Sequence, residues 1–224
     1  MSLLASISRN SVLLGLFAAA TAAGIAYTWE ATETDIERAI RDAEARKLLE
    51  IFPPESHNNT LIDDRFTVDA STPLLGLRDT REGYTARVDG KIVGVILPVT
   101  AREGYSGDIE LLVGVNASGS VAGVRVISHR ETPGLGDAVD LRKSPWILDF
   151  NTRSLNDPTP ANWAVKKDGG VFDQFTGATI TPRAVVDATR RALEYAERES
   201  QRLFGPLITP AHPSDNSQGD TASE

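Results

Sequence analysis

The sequence predicts an α+β fold: an antiparallel sheet of hairpins packed with helices, preceded by a single N-terminal transmembrane helix. Three observations carry that prediction. No charged residue occurs from Asn10 to Trp29, and a helix of that length spans roughly 30 Å, the thickness of a bilayer core. Two apolar, β-branched stretches each fold about a turn signal, Asp89-Gly90 in one and Asn116-Ala117-Ser118-Gly119 in the other. A last stretch, beginning at Thr181-Pro182, changes to helical periodicity.

Composition bounds the function. The chain has 224 residues and a formal charge of −8, enough for one domain with a real core plus extras. No basic run occurs, which argues against nucleic-acid binding. The absence of cysteine excludes disulfides, a thiolate nucleophile and cysteine-ligated iron–sulfur clusters. His57, His129 and His212 show no metal-binding spacing, so no metal site is predicted.

Residues 1–29 read as a membrane anchor. Tyr27 and Trp29 suit the interface at its end. Arg9 before the span and the acidic residues from Glu30 to Asp35 after it favour the N-terminus in the cytoplasm and the rest outside. Ala20-Thr21-Ala22 also fits a leader-peptide cleavage site, but the charge-free run is longer than a leader core. Residues 30–54 read as a stalk helix, with Ile36, Ile40, Ala43 and Leu48 on one face and Pro53-Pro54 as its stop. Residues 55–208 form the extracytoplasmic domain. Within it 55–81 reads as loop, Tyr84–Val88 and Lys91–Leu97 as one hairpin, and Asp108–Val115 and Val121–Ile127 as the second. Short helices follow over 138–150, and a tight hairpin over 165–172. Residues 209–224, rich in Pro, Ser and Asp, read as a disordered tail.

Two stretches invite a ligand. The first is Asp173-Gln174-Phe175-Thr176-Gly177-Ala178-Thr179-Ile180-Thr181-Pro182, a hydroxyl-rich turn running into a helix. Thr181 reads as the N-cap and Pro182 as the first helical residue. Val185, Val186, Ala188, Ala192, Leu193 and Ala196 form the buried stripe of a helix that runs to about Phe204. Its start carries Arg183 and no acid before Asp187, which suits an anion. The second is the loop from His129 to Asp137, whose Pro133-Gly134 and Gly134-Leu135-Gly136 let the backbone approach a ligand.

Taken together, Tyr105-Ser106-Gly107, the strand Ile109–Val115, Glu131-Thr132-Pro133-Gly134-Leu135-Gly136-Asp137 and Asp173-x-x-Thr176-Gly177-Ala178-Thr179-x-Thr181 resemble the G subunit of the Rnf ion-translocating electron-transport complex. They are also similar to the C subunit of the sodium-translocating NADH:quinone reductase, and Asp137 after Gly136 leans towards the former. The resemblance implies an FMN-binding domain and covalent FMN, joined by a phosphoester to Thr179 by a flavin transferase that recognises Asp173. It implies cofactor contacts from Glu131, Thr132, Gly134, Leu135, Thr176, Gly177, Ala178, Thr181 and Arg183. Backbone N–H groups of Thr132, Gly134 and Leu135 would face the ring, and those of Arg183 and Ala184 the phosphate. Lys166 or Lys167 would place charge near the flavin, while Trp146 and Trp163 read as packing residues. The implied role is a carrier with no catalytic residue of its own, in a membrane complex that couples electron flow between ferredoxin and NAD to ion movement. A non-redox module binding another anion is the alternative class.

Overall fold

A computed structural model describes residues 3–205; the tail read over 209–224 lies outside them. Anchor and stalk form one unbroken helix, α1 (Leu3–Ile51). Side chains from Arg9 to Ala43 are exposed, whereas Leu48, Ile51 and the following Phe52 are buried. One end of α1 is therefore bare apolar surface, long and apolar enough to cross a membrane. Its other end is part of the domain's core.

Five strands follow as an antiparallel meander, each beside its neighbour in sequence: β1 (Arg65–Val68), β2 (Arg81–Val88), β3 (Lys91–Gly104), β4 (Gly107–Asn116) and β5 (Val121–Ser128). Both predicted hairpins form. Asp89 and Gly90 take positive φ (51° and 79°), as a two-residue turn matched to strand twist requires. The stretch 55–81, read as loop, contains β1, which pairs with β2 from Arg65↔Tyr84 to Val68↔Arg81. Four residues carry too short an alternation to stand out from their Pro- and Asp-rich surroundings.

Alternation along the strands makes two cores. Val95, Leu97, Val99 and Ala101 of β3 and Ile109, Leu111, Val113 and Val115 of β4 face α2 (Ile180–Arg198). Ile96 and Leu112 face the end of α1 with Tyr84 and Ala86. On that side Gly94 and Gly114 admit the helix: a Cβ on Gly94 would lie 2.2 Å from Phe52 Cζ, and one on Gly114 2.2 Å from Ile51 Cγ2. Arg125 of β5 fastens the joint. Its Nε donates to Glu50 Oε2 (2.7 Å) and its Nη2 to the Glu50 carbonyl (2.9 Å). The last turn of α1 holds no basic residue of its own, so Arg125 supplies the cation that a helix C-terminus favours.

The helical stretch read to about Phe204 breaks at Glu199, giving α2 and a short α3 (Ser200–Phe204). Residues 138–150 hold two 3₁₀ segments, Gly136–Val139 and Pro145–Phe150. The hairpin expected over 165–172 is instead a 3₁₀ turn, Lys166–Asp168, with Gly169 left-handed at φ 87°. It closes through Lys166 N–H to the Phe172 carbonyl (2.7 Å). Trp146 and Trp163 are buried, as packing residues should be. Trp146 meets Phe150 and Phe175 edge-on at 5.3 and 5.0 Å, and Phe150 stacks on Phe172 at 4.6 Å.

Candidate flavin site

Three segments far apart in sequence meet at one buried carboxylate. Glu131 is 5% exposed. Its Oε1 accepts from the Ser106 N–H (2.9 Å) in the β3–β4 turn, and its Oε2 from Thr181 Oγ1 (2.5 Å) in α2. Gly136 fits between them: a Cβ there would lie 2.6 Å from Glu131 Oε2 and 2.7 Å from Thr181 Oγ1. Charge-assisted hydrogen bonds of this kind are the strong ones, which keeps the buried acid satisfied. Glu131 thus turns inward and ties the site together.

The helix begins two residues earlier than Thr181-Pro182 implies. Thr179 is the N-cap, Thr181 and Pro182 lie in the first turn, and Thr179 makes no side-chain capping bond. Proline is tolerated anywhere in the first turn, where N–H groups have no intrahelical partner. It therefore does not mark N1 here. Thr181 is fully buried, its hydroxyl given to Glu131. Arg183 N–H donates to the Thr179 carbonyl (3.3 Å) and Thr181 is fully buried, so the group left for an anion is the N–H of Ile180. It finds no acceptor among the described residues. The Arg183 side chain is also engaged, with Nε and Nη2 on Asp168 at 2.5 and 2.6 Å. That hydrogen-bonded guanidinium holds the Asp168 carboxyl below the usual carboxylate range.

Ahead of the helix the chain makes a tight turn. Ala178 N–H donates to the Phe175 carbonyl (3.1 Å), with Gly177 at φ 77°. Thr176 and Gly177 are exposed, and Ala178 and Thr179 partly so. The turn rests on Phe175, itself against Trp146, whose Nε1 donates to the Asp173 carbonyl (2.8 Å). The Asp173 carboxylate pairs with Lys166 Nζ (2.6 Å) at the surface. Lys166 is thereby taken by a neighbour and is not a free charge.

These segments all lie within one of two stretches shared with known proteins. Residues 104–194 match the FMN-binding domain family and residues 1–51 the RnfG N-terminal region. The G subunit of the ion-translocating oxidoreductase complex of Pseudomonas aeruginosa (strain UCBPP-PA14) is 50% identical over 207 residues, covering 92% of this chain and 96% of the relative. This chain belongs to the RnfG family. The G subunits of the same complex from Pseudoalteromonas atlantica and Vibrio cholerae are 44% identical over 198 residues (88% of this chain, 92% of theirs) and 40% over 201 (90% and 95%).

The second half of this RnfG site, loop 129–137, differs in detail from the sequence reading. Gly134 N–H is taken by Asp137 Oδ1 (2.7 Å) and Leu135 N–H by the Thr132 carbonyl (3.1 Å). Of the three N–H groups expected to face a ring, two therefore hold the loop's own shape. Glu131 N–H donates to His129 Nδ1 (3.1 Å), which makes the histidine a loop hydrogen-bonder. Thr132, Pro133, Gly134 and Leu135 are exposed. Leu135 Cδ2 lies 3.6 Å from where a Cβ on Gly177 would stand, so the loop tip touches the turn.

The residues present fit FMN. A bare helix start and the unbonded Thr179 hydroxyl suit a phosphate, and an apolar, aromatic-floored surface beside them suits a planar ring. A groove of about 630 Å³ lies on the α1 face of the sheet between Ile40, Glu44, Lys47 and Leu112; none of the expected cofactor-contact residues lines it. Sequence reasoning missed Ser106 and Gly136 as partners of Glu131. Both stand within the motifs it singled out, but a backbone N–H and a missing Cβ leave no chemical signature in one sequence.

Proposed function

We propose that this chain is a membrane-anchored electron carrier of an ion-translocating oxidoreductase complex, holding FMN by a phosphoester to Thr179 Oγ1. The observation that carries this reading is the contrast between two hydroxyls at the helix start. Thr181 is fully buried and bonded to Glu131, whereas Thr179 is partly exposed and makes no capping bond.

In the attachment step the Thr179 oxygen attacks the FMN phosphorus of FAD. The pyrophosphate bond breaks, AMP leaves, and the hydroxyl proton passes to solvent. A flavin transferase performs this step, and exposed Asp173 is its recognition point. The N–H of Ile180 would hold the phosphate, with the exposed Thr176 beside it. Glu131 and Gly136 keep that helix start in register with loop 132–135. Bound FMN supplies the capacity to take up and release electrons. The protein positions it and passes electrons between neighbouring subunits, and the α1 span keeps the domain at the periplasmic face of the inner membrane.

The full chain, co-expressed with a flavin transferase, should give a fluorescent band on a denaturing gel under ultraviolet light. Thr179→Ala should abolish it, while Thr181→Ser should keep it. No band from wild type would end the covalent reading; a bright Thr179→Ala band would move the bond to Thr176.

A further inference from the structure

Outside α1, five large hydrophobic side chains are exposed among the described residues: Val88, Tyr105, Leu135, Leu148 and Ile180. Three of the five belong to the site, with Tyr105 70%, Ile180 46% and Leu135 43% exposed. Their gathering has a structural cause. Each directly precedes a residue that meets the Glu131 carboxylate: Tyr105 before Ser106, Leu135 before Gly136, and Ile180 before Thr181. The inward groups are fixed on one acid, and the side chain one residue before each of them is left exposed. Leu135 already touches the attachment turn at Gly177.

Scattered exposed hydrophobics need no explanation, but a cluster beside a ligand site does. The phosphate anchor lies one residue before Ile180. A ring tethered there is held at high local concentration beside this surface and reaches it ahead of any free ligand. Tyr105 alone offers an aromatic face, at the tip of the hairpin turn between Gly104 and Gly107.

We propose that Tyr105, Leu135 and Ile180 seat the isoalloxazine ring, with the Tyr105 phenol lying against one ring face. This rests on the Thr179 reading above. Tyr105 thereby shields one side of the ring from water and sets its orientation towards the next electron carrier.

The test uses the native, flavin-loaded full chain in detergent, with attachment scored separately on a denaturing gel. A phenol in contact with photoexcited flavin gives it an electron and recovers it faster than light is emitted, so contact quenches emission without net chemistry. Wild type should emit severalfold less in its native state than after unfolding. Tyr105→Leu, which keeps apolar bulk, should raise native emission severalfold, and Tyr105→Phe should do the same while keeping the ring shape. Ile180→Ser should lower emission anisotropy by loosening the seat. Equal native emission from wild type and both Tyr105 variants, with full covalent bands, would overturn the seat and leave the Thr179 reading standing. Absence of any wild-type band would overturn both.

Discussion

The two ends of the domain are built on opposite terms. Where α1 meets the sheet, polar groups are paired across the joint. Arg125 spans from β5 to the Glu50 side chain and carbonyl, and Tyr84 gives its hydroxyl to Glu44. Where α2 begins, one acid is fully engaged inside, yet the surface just above it keeps an uncapped helix start, a free threonine hydroxyl and three exposed apolar side chains. The first end is a hydrogen-bonded joint, with a groove beside it, that fixes the domain on its membrane helix. The second is a rigid frame around a surface that awaits a ligand. Stability and binding are thus assigned to different places, and substitutions should separate them.

The largest expected effect is on the joint. Arg125→Ala leaves the Glu50 carbonyl and carboxylate without their partner. Breaking a buried pair typically costs about 3 to 5 kcal/mol; the Glu50 side chain is 49% exposed, so about 3 kcal/mol is expected. Urea unfolding of the full chain in detergent would measure the loss. Covalent flavin per folded molecule should stay at the wild-type level, and a matching fall in attachment would dissolve the contrast between the two ends.

Gly136→Ala should show the reverse balance. Its new Cβ would stand 2.6 Å from Glu131 Oε2 and 2.7 Å from Thr181 Oγ1, so one of the two must move. Overpacking of this kind costs about 2 kcal/mol. Because the displaced groups set the helix start, flavin attachment per folded molecule should fall well below wild type. Wild-type attachment in a destabilised Gly136→Ala protein would show that the Glu131 frame only adds stability.

Much of this architecture is legible in the sequence where the signal is local. Asp89-Gly90 specifies a two-residue turn by its backbone preferences alone, and that hairpin forms as expected. The division of α1 into anchor and stalk follows polarity, which marks a change of surroundings. No glycine or proline lies between Ile25 and Phe52 to end the helix, and it runs through. The start of α2 lies two residues ahead of its local signal because the deciding partner is not local. Thr181 looks like a cap from its own neighbours, but Glu131, 50 residues earlier, takes its hydroxyl. The inward turn of Glu131 is hidden for the same reason: a carboxylate in a Pro- and Gly-rich loop gives no sign of whether it faces solvent or core.

The smallest effect lies again at the joint, and pH exposes it. Burial first, and then the bond to the Glu44 carboxylate, pushes the Tyr84 hydroxyl well above the ordinary tyrosine value. Its proton is therefore held more tightly in the folded chain than in the unfolded one. The corresponding stability is fully present below the unfolded pKa of about 10 and is lost as pH rises from there through the folded value. Tyr84→Phe should cost about 1 kcal/mol at neutral pH, the usual net worth of one hydrogen bond. Above about pH 10 the gap between wild type and Tyr84→Phe should narrow, because only wild type has a phenol there to ionise. A gap of constant size across that range, followed by denaturant unfolding at each pH, would mean that Tyr84 supports the joint by packing alone. Among the described residues the flavin end has no such titrating link to α1, so covalent attachment per folded molecule should be the same in the two proteins.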